Sequence, residues 1–192
     1  MSTWYVRPNT SHGSTRNGTS YATAWGGWSE IVWGSGGVVG GDTLYVCGAH
    51  SYTANIAPGN HGGTSGSRCV IRGDGVDEAG SIAFVGAYYV NLVRSYTTIR
   101  NLAFTGGATH CLYINNTGSM TGVSVLDNAF TSSANSAVLF SAQSGAHYID
   151  CIIDGNTFTG DCRDGSNATG AINWFATAAG ITTKLTRFTV TN

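Results

Sequence analysis

Thr98-Ile99-Arg100-Asn101-Leu102-Ala103-Phe104, Ser124-Val125-Leu126-Asp127-Asn128-Ala129-Phe130 and Ile152-Ile153-Asp154-Gly155-Asn156-Thr157-Phe158 are three copies of one pattern. Their phenylalanines lie 26 and 28 residues apart, and the β-branched residues Ile99, Val125 and Ile153 keep the same spacings. Val70-Ile71-Arg72-Gly73 fits one period upstream, and Phe188-Thr189-Val190-Thr191-Asn192 reads as the start of a further copy. A second apolar stretch recurs between them: Leu112-Tyr113-Ile114, Ala137-Val138-Leu139-Phe140 and Ala171-Ile172-Asn173-Trp174-Phe175. Each period therefore holds at least two short strands separated by turn-rich sequence. One such coil cannot bury its apolar side alone, so the repeat predicts a stack of coils with one continuous core. Equivalent residues of parallel coils would stand about 4.8 Å apart.

Composition agrees. The chain has 192 residues with 28 glycines and only 10% charged residues, and Ser, Thr and Asn fill the polar remainder. These are weak helix formers, suited to many turns and short strands. The expected fold is all-β: a parallel β-helix (solenoid) with an N-terminal capping segment. Asn128 and Asn156 each stand two residues before a column phenylalanine, where asparagine tolerates a left-handed corner, bonds to backbone, and, when stacked, can bond to its counterpart along the axis. The formal net charge is −1 with no basic run, which gives nucleic acid no phosphate-binding stripe. The start, Met1 to Pro8, lacks the apolar run of a signal peptide, and no segment is apolar enough for membrane insertion.

Register also speaks to the five cysteines. Counting back two from Ile71, Ile99, Val125 and Ile153 gives one inward column of Cys69, Thr97, Val123 and Cys151. The two thiols would then lie three coils apart, roughly 14 Å, too far for a disulfide. Cys162 sits in a polar loop with no obvious partner. Unpaired thiols fit a reducing compartment.

Residues 1–41 read as a cap: a strand at Thr3-Trp4-Tyr5-Val6, a turn at Asn17 to Ser20, and a short helix over Ala22 to Trp33. Trp25, Trp28 and Val32 fall on one helical face there, weakened by Gly26 and Gly27. Residues 42–192 read as coils, incomplete at the C-terminal end. An aromatic platform of Trp25, Trp28, Trp33 and Trp174 for sugar rings is the alternative to capping.

The stretches Gly18-Thr19-Ser20-Tyr21-Ala22-Thr23-Ala24-Trp25, Gly41-Asp42-Thr43-Leu44-Tyr45-Val46, Cys69-Val70-Ile71-Arg72-Gly73 and Ser95 to Phe104 resemble, in that order, the start of proteins of the pectin-lyase-like, right-handed parallel β-helix superfamily. The resemblance covers nearly the whole chain and implies the fold more than a function. Its members include polysaccharide lyases and hydrolases, bacterial surface proteins, and phage tailspikes, fibres and capsid-decorating proteins, and fold does not choose among them.

An enzyme of this type needs carboxylates on one outer face, with Arg and calcium in many lyases. The candidates are Asp127, Asp154 and Arg100, with Asp150, Asp161, Asp164 and Arg163 nearby. Arg72, Arg100 and Asp154 fall in one outward column, with Leu126 between the last two. No dense acidic calcium cluster and no metal-ligand spacing among the histidines is visible, so no cofactor is expected unless the chain is a lyase. The sequence reading is a structural virion protein of a bacteriophage (tail fibre, tailspike or capsid decoration subunit), assembled in the host cytoplasm. Its expected partners are other virion subunits, as a homo-oligomer with a trimer favoured, and a host surface glycan. A polysaccharide lyase or glycoside hydrolase acting on acidic polysaccharide, and a non-catalytic glycan-binding module, are the alternatives.

Overall fold

A computed structural model describes residues 1–8, 15–75, 77–116, 118–131, 136–142, 147–160, 171–176, 185–186 and 189–190. The repeat emerges as parallel pairing. The long sheet has eight strands in the spatial order Trp25–Gly26, Thr3–Arg7, Thr43–Val46, Cys69–Arg72, Thr97–Arg100, Ser124–Leu126, Ile152–Asp154 and Thr189–Val190. The second sheet stacks Gly48–Tyr52, Gly80–Phe84, Ala103–Gly106, Ala129–Thr131 and Thr157–Thr159. The third stacks Val90–Leu92, His110–Asn116, Ser136–Ala142 and Ile172–Ala176, and the fourth Met120–Thr121, Tyr148–Ile149 and Leu185–Thr186. The chain visits the sheets in turn and returns to the long sheet one rung further on, which is a parallel β-helix. Leu44, Ile71, Ile99, Val125 and Ile153 pair in register and are at most 1% exposed. The recurring second stretch also holds, since Leu112 pairs with Val138 and Val138 with Ile172.

The seven-residue pattern is two strands, not one. A single residue turns the corner between the long and second sheets: Asn101 (φ 53°), Asp127 (φ 53°) and Gly155 (φ 64°). At the other edge of the long sheet Tyr96 (φ 55°), Gly122 (φ 66°) and Asp150 (φ 55°) do the same. The left-handed residue is thus the one before Asn128 and Asn156, which corrects the sequence reading. Those two asparagines do bond to each other along the axis and to backbone, as expected, and form a ladder. Asn128 Nδ2 donates to Asn156 Oδ1 and to the Ile99 carbonyl, both at 3.0 Å, while its Oδ1 accepts from the Leu102 amide at 3.0 Å. Asn156 Nδ2 repeats the contact one coil on, to the Val125 carbonyl at 2.8 Å. Two residues further, Phe104, Phe130 and Phe158 stack face to face, 5.0 and 5.3 Å apart. Each coil therefore repeats the polar and aromatic contacts of the one below, and burial of these columns holds the stack together.

Cys69 pairs with Thr97 in register, as counted from the sequence. Cys47, Cys69, Cys111 and Cys151 are buried, and none forms a disulfide with another described cysteine. Burial pushes the Cys47 thiol up to about 11 and that of Cys69 to about 12. Cys162 lies outside the described residues.

At the N-terminal end the structure departs from expectation. The long sheet begins before residue 42, because Thr3–Arg7 is already a rung beside Thr43–Val46. The helix expected over Ala22 to Trp33 is absent. Trp25–Gly26 pairs as a strand with Val6 and Arg7, and only Trp28–Glu30 turns, as 3-10 helix. Gly27 has φ 99°, which no helix accommodates, so the glycines overrode the apolar periodicity. Trp4 stacks on Trp25 at 5.2 Å, Trp28 Nε1 donates to the Ala57 carbonyl at 2.8 Å, and Trp33 tilts over Trp28 at 6.0 Å. Asp42, 3% exposed, receives hydrogen bonds from the Ser2 amide, Trp4 Nε1 and the Val39 amide and ties the first strand to the second.

Candidate functional site

Side chains alternate across a strand, so the residue after each inward aliphatic points outward. On the long sheet this makes one ribbon: Tyr5, Tyr45, Arg72, Arg100, Leu126 and Asp154, in register from rung to rung. The expected outward column of Arg72, Arg100 and Asp154, interrupted by Leu126, is its upper part. Its lower part is aromatic. Tyr5 and Tyr45 stack at 5.5 Å with an interplanar angle of 19°, and the Arg72 guanidinium lies 5.4 Å from the Tyr45 ring centre.

A corner loop supplies the acidic partner. Between Arg72 and Gly80 the chain makes an excursion longer than the two-residue corners above it, closed by an Asp74–Ala79 bridge and by the Gly80 amide donating to the Gly73 carbonyl at 2.6 Å. Both glycines are required by close approach. A Cβ on Gly80 would lie 2.0 Å from the Val46 carbonyl oxygen, and one on Gly73 2.5 Å from that of Asn101. The loop presents Asp74 to the Arg72 guanidinium, which binds both carboxylate oxygens, and Asn101 Nδ2 donates to Asp74 Oδ2. The Arg72 hydrogen bond holds the Asp74 carboxyl below the usual range against the opposing effect of burial, and Asp74 in turn raises Arg72. One rung on, Arg100 Nη2 reaches Asp127 Oδ2 at 3.4 Å. These side chains are 35% and 55% exposed, so the pair adds little stability. At the N-terminal end Arg7 lies over the Tyr21 ring at 4.2 Å, and Tyr21 donates its hydroxyl to Glu78 at 3.1 Å.

Of the expected catalytic residues, Arg100 and Asp127 are brought together, and Asp154 stands two rungs from Arg100 beyond Leu126. Among the expected sugar-platform residues, Trp25 and Trp28 are 2% and 7% exposed. Trp33 is half-buried, packed between Trp28 and His61. The strand of Trp174 is described but its side chain is not, and Asp161, Arg163 and Asp164 lie outside the described residues. Tyr5, Tyr45, Asp74 and Asn101 were not singled out from the sequence. Tyr45 was findable, because Leu44 lies one period before Ile71; Tyr5 was not, because its rung is 40 residues from the next.

The ribbon is a strip of stacked phenol rings, guanidinium donors and carboxylate acceptors. Asp74 stays ionised near neutral pH, so it can accept hydrogen bonds but has no proton to give a leaving group. Among the described residues, no three His, Cys, Asp or Glu side chains are grouped to hold a metal ion.

No family model matches the chain, and no curated protein matches it. Among solved structures, the crystal structure of a pectate lyase is similar over 88% of this chain and 57% of its own, with a TM-score of 0.49 and 14% sequence identity. The chain thus spans little more than half the length of that protein.

Proposed function

We propose that this β-helix is a structural, non-catalytic scaffold that contacts an extended glycan along the Tyr5–Tyr45–Arg72–Arg100 ribbon. The carrying observation is the pairing on that strip. Arg72 with Asp74 and Arg100 with Asp127 place donors and acceptors side by side, next to two stacked tyrosines. The phenol hydroxyls, guanidinium donors and carboxylate acceptors along the strip can bond sugar hydroxyls and carboxylates. A tail fibre, tailspike or capsid-decorating subunit of a bacteriophage would use such a scaffold in this way, with copies joined side by side as a trimer. The low proportion of charged residues supports subunit packing.

Affinity electrophoresis in gels containing acidic or neutral polysaccharide tests the glycan contact, with product analysis run on the same mixtures. Retention by an acidic polysaccharide, lost in Tyr45→Ala and Arg72→Ala, is expected without shortened or unsaturated products. Cleavage that disappears in Asp127→Ala would instead establish the enzyme reading, and no retention on any glycan would remove the contact. Light scattering should give the mass of a trimer; a monomer at micromolar concentration counts against the subunit role.

A further inference from the structure

At the opposite edge of the long sheet from the ribbon, the chain entering Thr97–Arg100 lines a cleft of about 310 Å³ with Asn60, Gly62, Arg94 and Ser95. That volume is at the lower end of small-ligand sites. His61 forms its floor and is 3% exposed. Its hydrogen bonds fix its state. Thr97 Oγ1 donates to the Arg94 carbonyl at 3.0 Å, so it accepts from His61 Nε2 at 2.9 Å. Nδ1 then accepts from the Gly63 amide at 3.1 Å. Both ring nitrogens are occupied, and burial, reinforced by the Arg94 charge, pushes the imidazole pKa down. His61 is therefore a neutral support that holds the cleft wall.

The remaining groups are mostly donors. Arg94 forms no ion pair with any carboxylate among the described residues, and its Nε is buried with no hydrogen-bond partner. Ser95 Oγ accepts from the Thr121 amide at 3.1 Å, which leaves its own O–H to donate. Asn60 is exposed at the rim and Gly62, with φ 61°, leaves open space above the floor. A concave site with an uncompensated guanidinium, a hydroxyl donor and an amide is complementary to a compact anion.

We infer that the Arg94 cleft binds one anionic group, a carboxylate or phosphate, through the Arg94 guanidinium with Ser95 and Asn60 as neutral donors. This site is independent of the ribbon. The shared chemistry has two sources, an acidic sugar unit or a free inorganic anion.

Isothermal titration with glucuronate, inorganic phosphate and glucose tests it, with amide chemical shifts of Gly62, Gly63 and Ser95 as the local readout. Both anions should bind and shift those amides, and glucose should do neither. Tighter glucuronate than phosphate assigns the site to a sugar carboxylate; the reverse assigns it to an inorganic anion. Arg94→Gln should weaken both anions by about tenfold or more, the loss of a charge-assisted hydrogen bond. Asn60→Asp, an exposed change that leaves the fold intact, should weaken them severalfold by placing a like charge at the rim, and it carries the test if Arg94→Gln does not fold. Arg16→Gln, in neither the cleft nor the ribbon, should leave anion affinity unchanged. The inference is overturned if a folded Arg94→Gln, or failing that Asn60→Asp, binds both anions as the parent does, or if neither anion moves the three amides.

Discussion

Asn128→Ala removes one of the two members of the asparagine ladder, and its cost can be worked from the contacts. The side chain is 1% exposed and makes three hydrogen bonds, to the Leu102 amide, the Ile99 carbonyl and Asn156 Oδ1. Each such bond contributes about 1 kcal/mol net, and a buried group left without a partner costs about 1–3 kcal/mol. Alanine strands the Leu102 amide and takes one donor from the Ile99 carbonyl, while Asn156 Oδ1 keeps the Asn128 backbone amide at 2.9 Å. The expected loss is therefore about 3–5 kcal/mol, a large share of a domain's net stability. Urea unfolding followed by circular dichroism measures it, and hydrogen exchange should show the Leu102 amide losing protection first. Asn128→Asp separates shape from chemistry. It keeps the acceptor for Leu102 but turns both donors into acceptors facing oxygen, so its folded pKa must rise above the unfolded value. The variant should be most stable below about pH 4 and lose that stability as pH rises through the raised folded pKa. An Asn128→Ala loss under about 1 kcal/mol, or an Asn128→Asp stability that does not change with pH, would refute the assignment of this ladder as a main tie between coils.

Gly122→Ala should cost about 1–3 kcal/mol in thermal unfolding, because φ is 66° and the new Cβ would lie 2.7 Å from the Tyr96 ring; Gly118→Ala, with nothing within 4 Å, is its control. Burial alone would raise the Asp42 carboxyl, but hydrogen bonds from Trp4, Ser2 and Val39 outweigh it and hold the pKa below its ordinary 3.8. Its contribution is therefore present above that value and lost as pH falls through the folded pKa, and Asp42→Asn should flatten this acid limb of a stability–pH curve. Cys47, Cys69, Cys111 and Cys151 should resist thiol labelling until the chain unfolds, read as added mass on each peptide; fast labelling of Cys69 in the native protein would contradict its burial.

The long sheet was legible because Ile99, Val125 and Ile153 are fully buried at a near-constant spacing, and burial is what makes side-chain identity repeat. The corner was not, because one residue at Asn101 or Asp127 turns the chain without interrupting the apolar pattern, so two strands read as one. The fourth sheet was invisible for a related reason: Met120–Thr121 and Tyr148–Ile149 are two residues each, too short for any period. Trp25, Trp28 and Val32 satisfied a helical count that the backbone of Gly27 could not follow. On the outer face, Arg72, Arg100 and Asp154 came from counting alone. Asp74 did not, because its loop leaves the period and only its folding back brings it to Arg72.

Residues that pair along the long sheet, Leu44, Ile71, Ile99, Val125, Ile153 and Val190, are 27, 28, 26, 28 and 37 residues apart, yet each meets the next in register. The molecule thus behaves as a tape whose index mark is reprinted on every turn. A segment gained or lost between marks changes what hangs from that turn and nothing about where the following turn begins. Such a chain can trial new surface decorations one at a time, with the cost of each confined to its own turn.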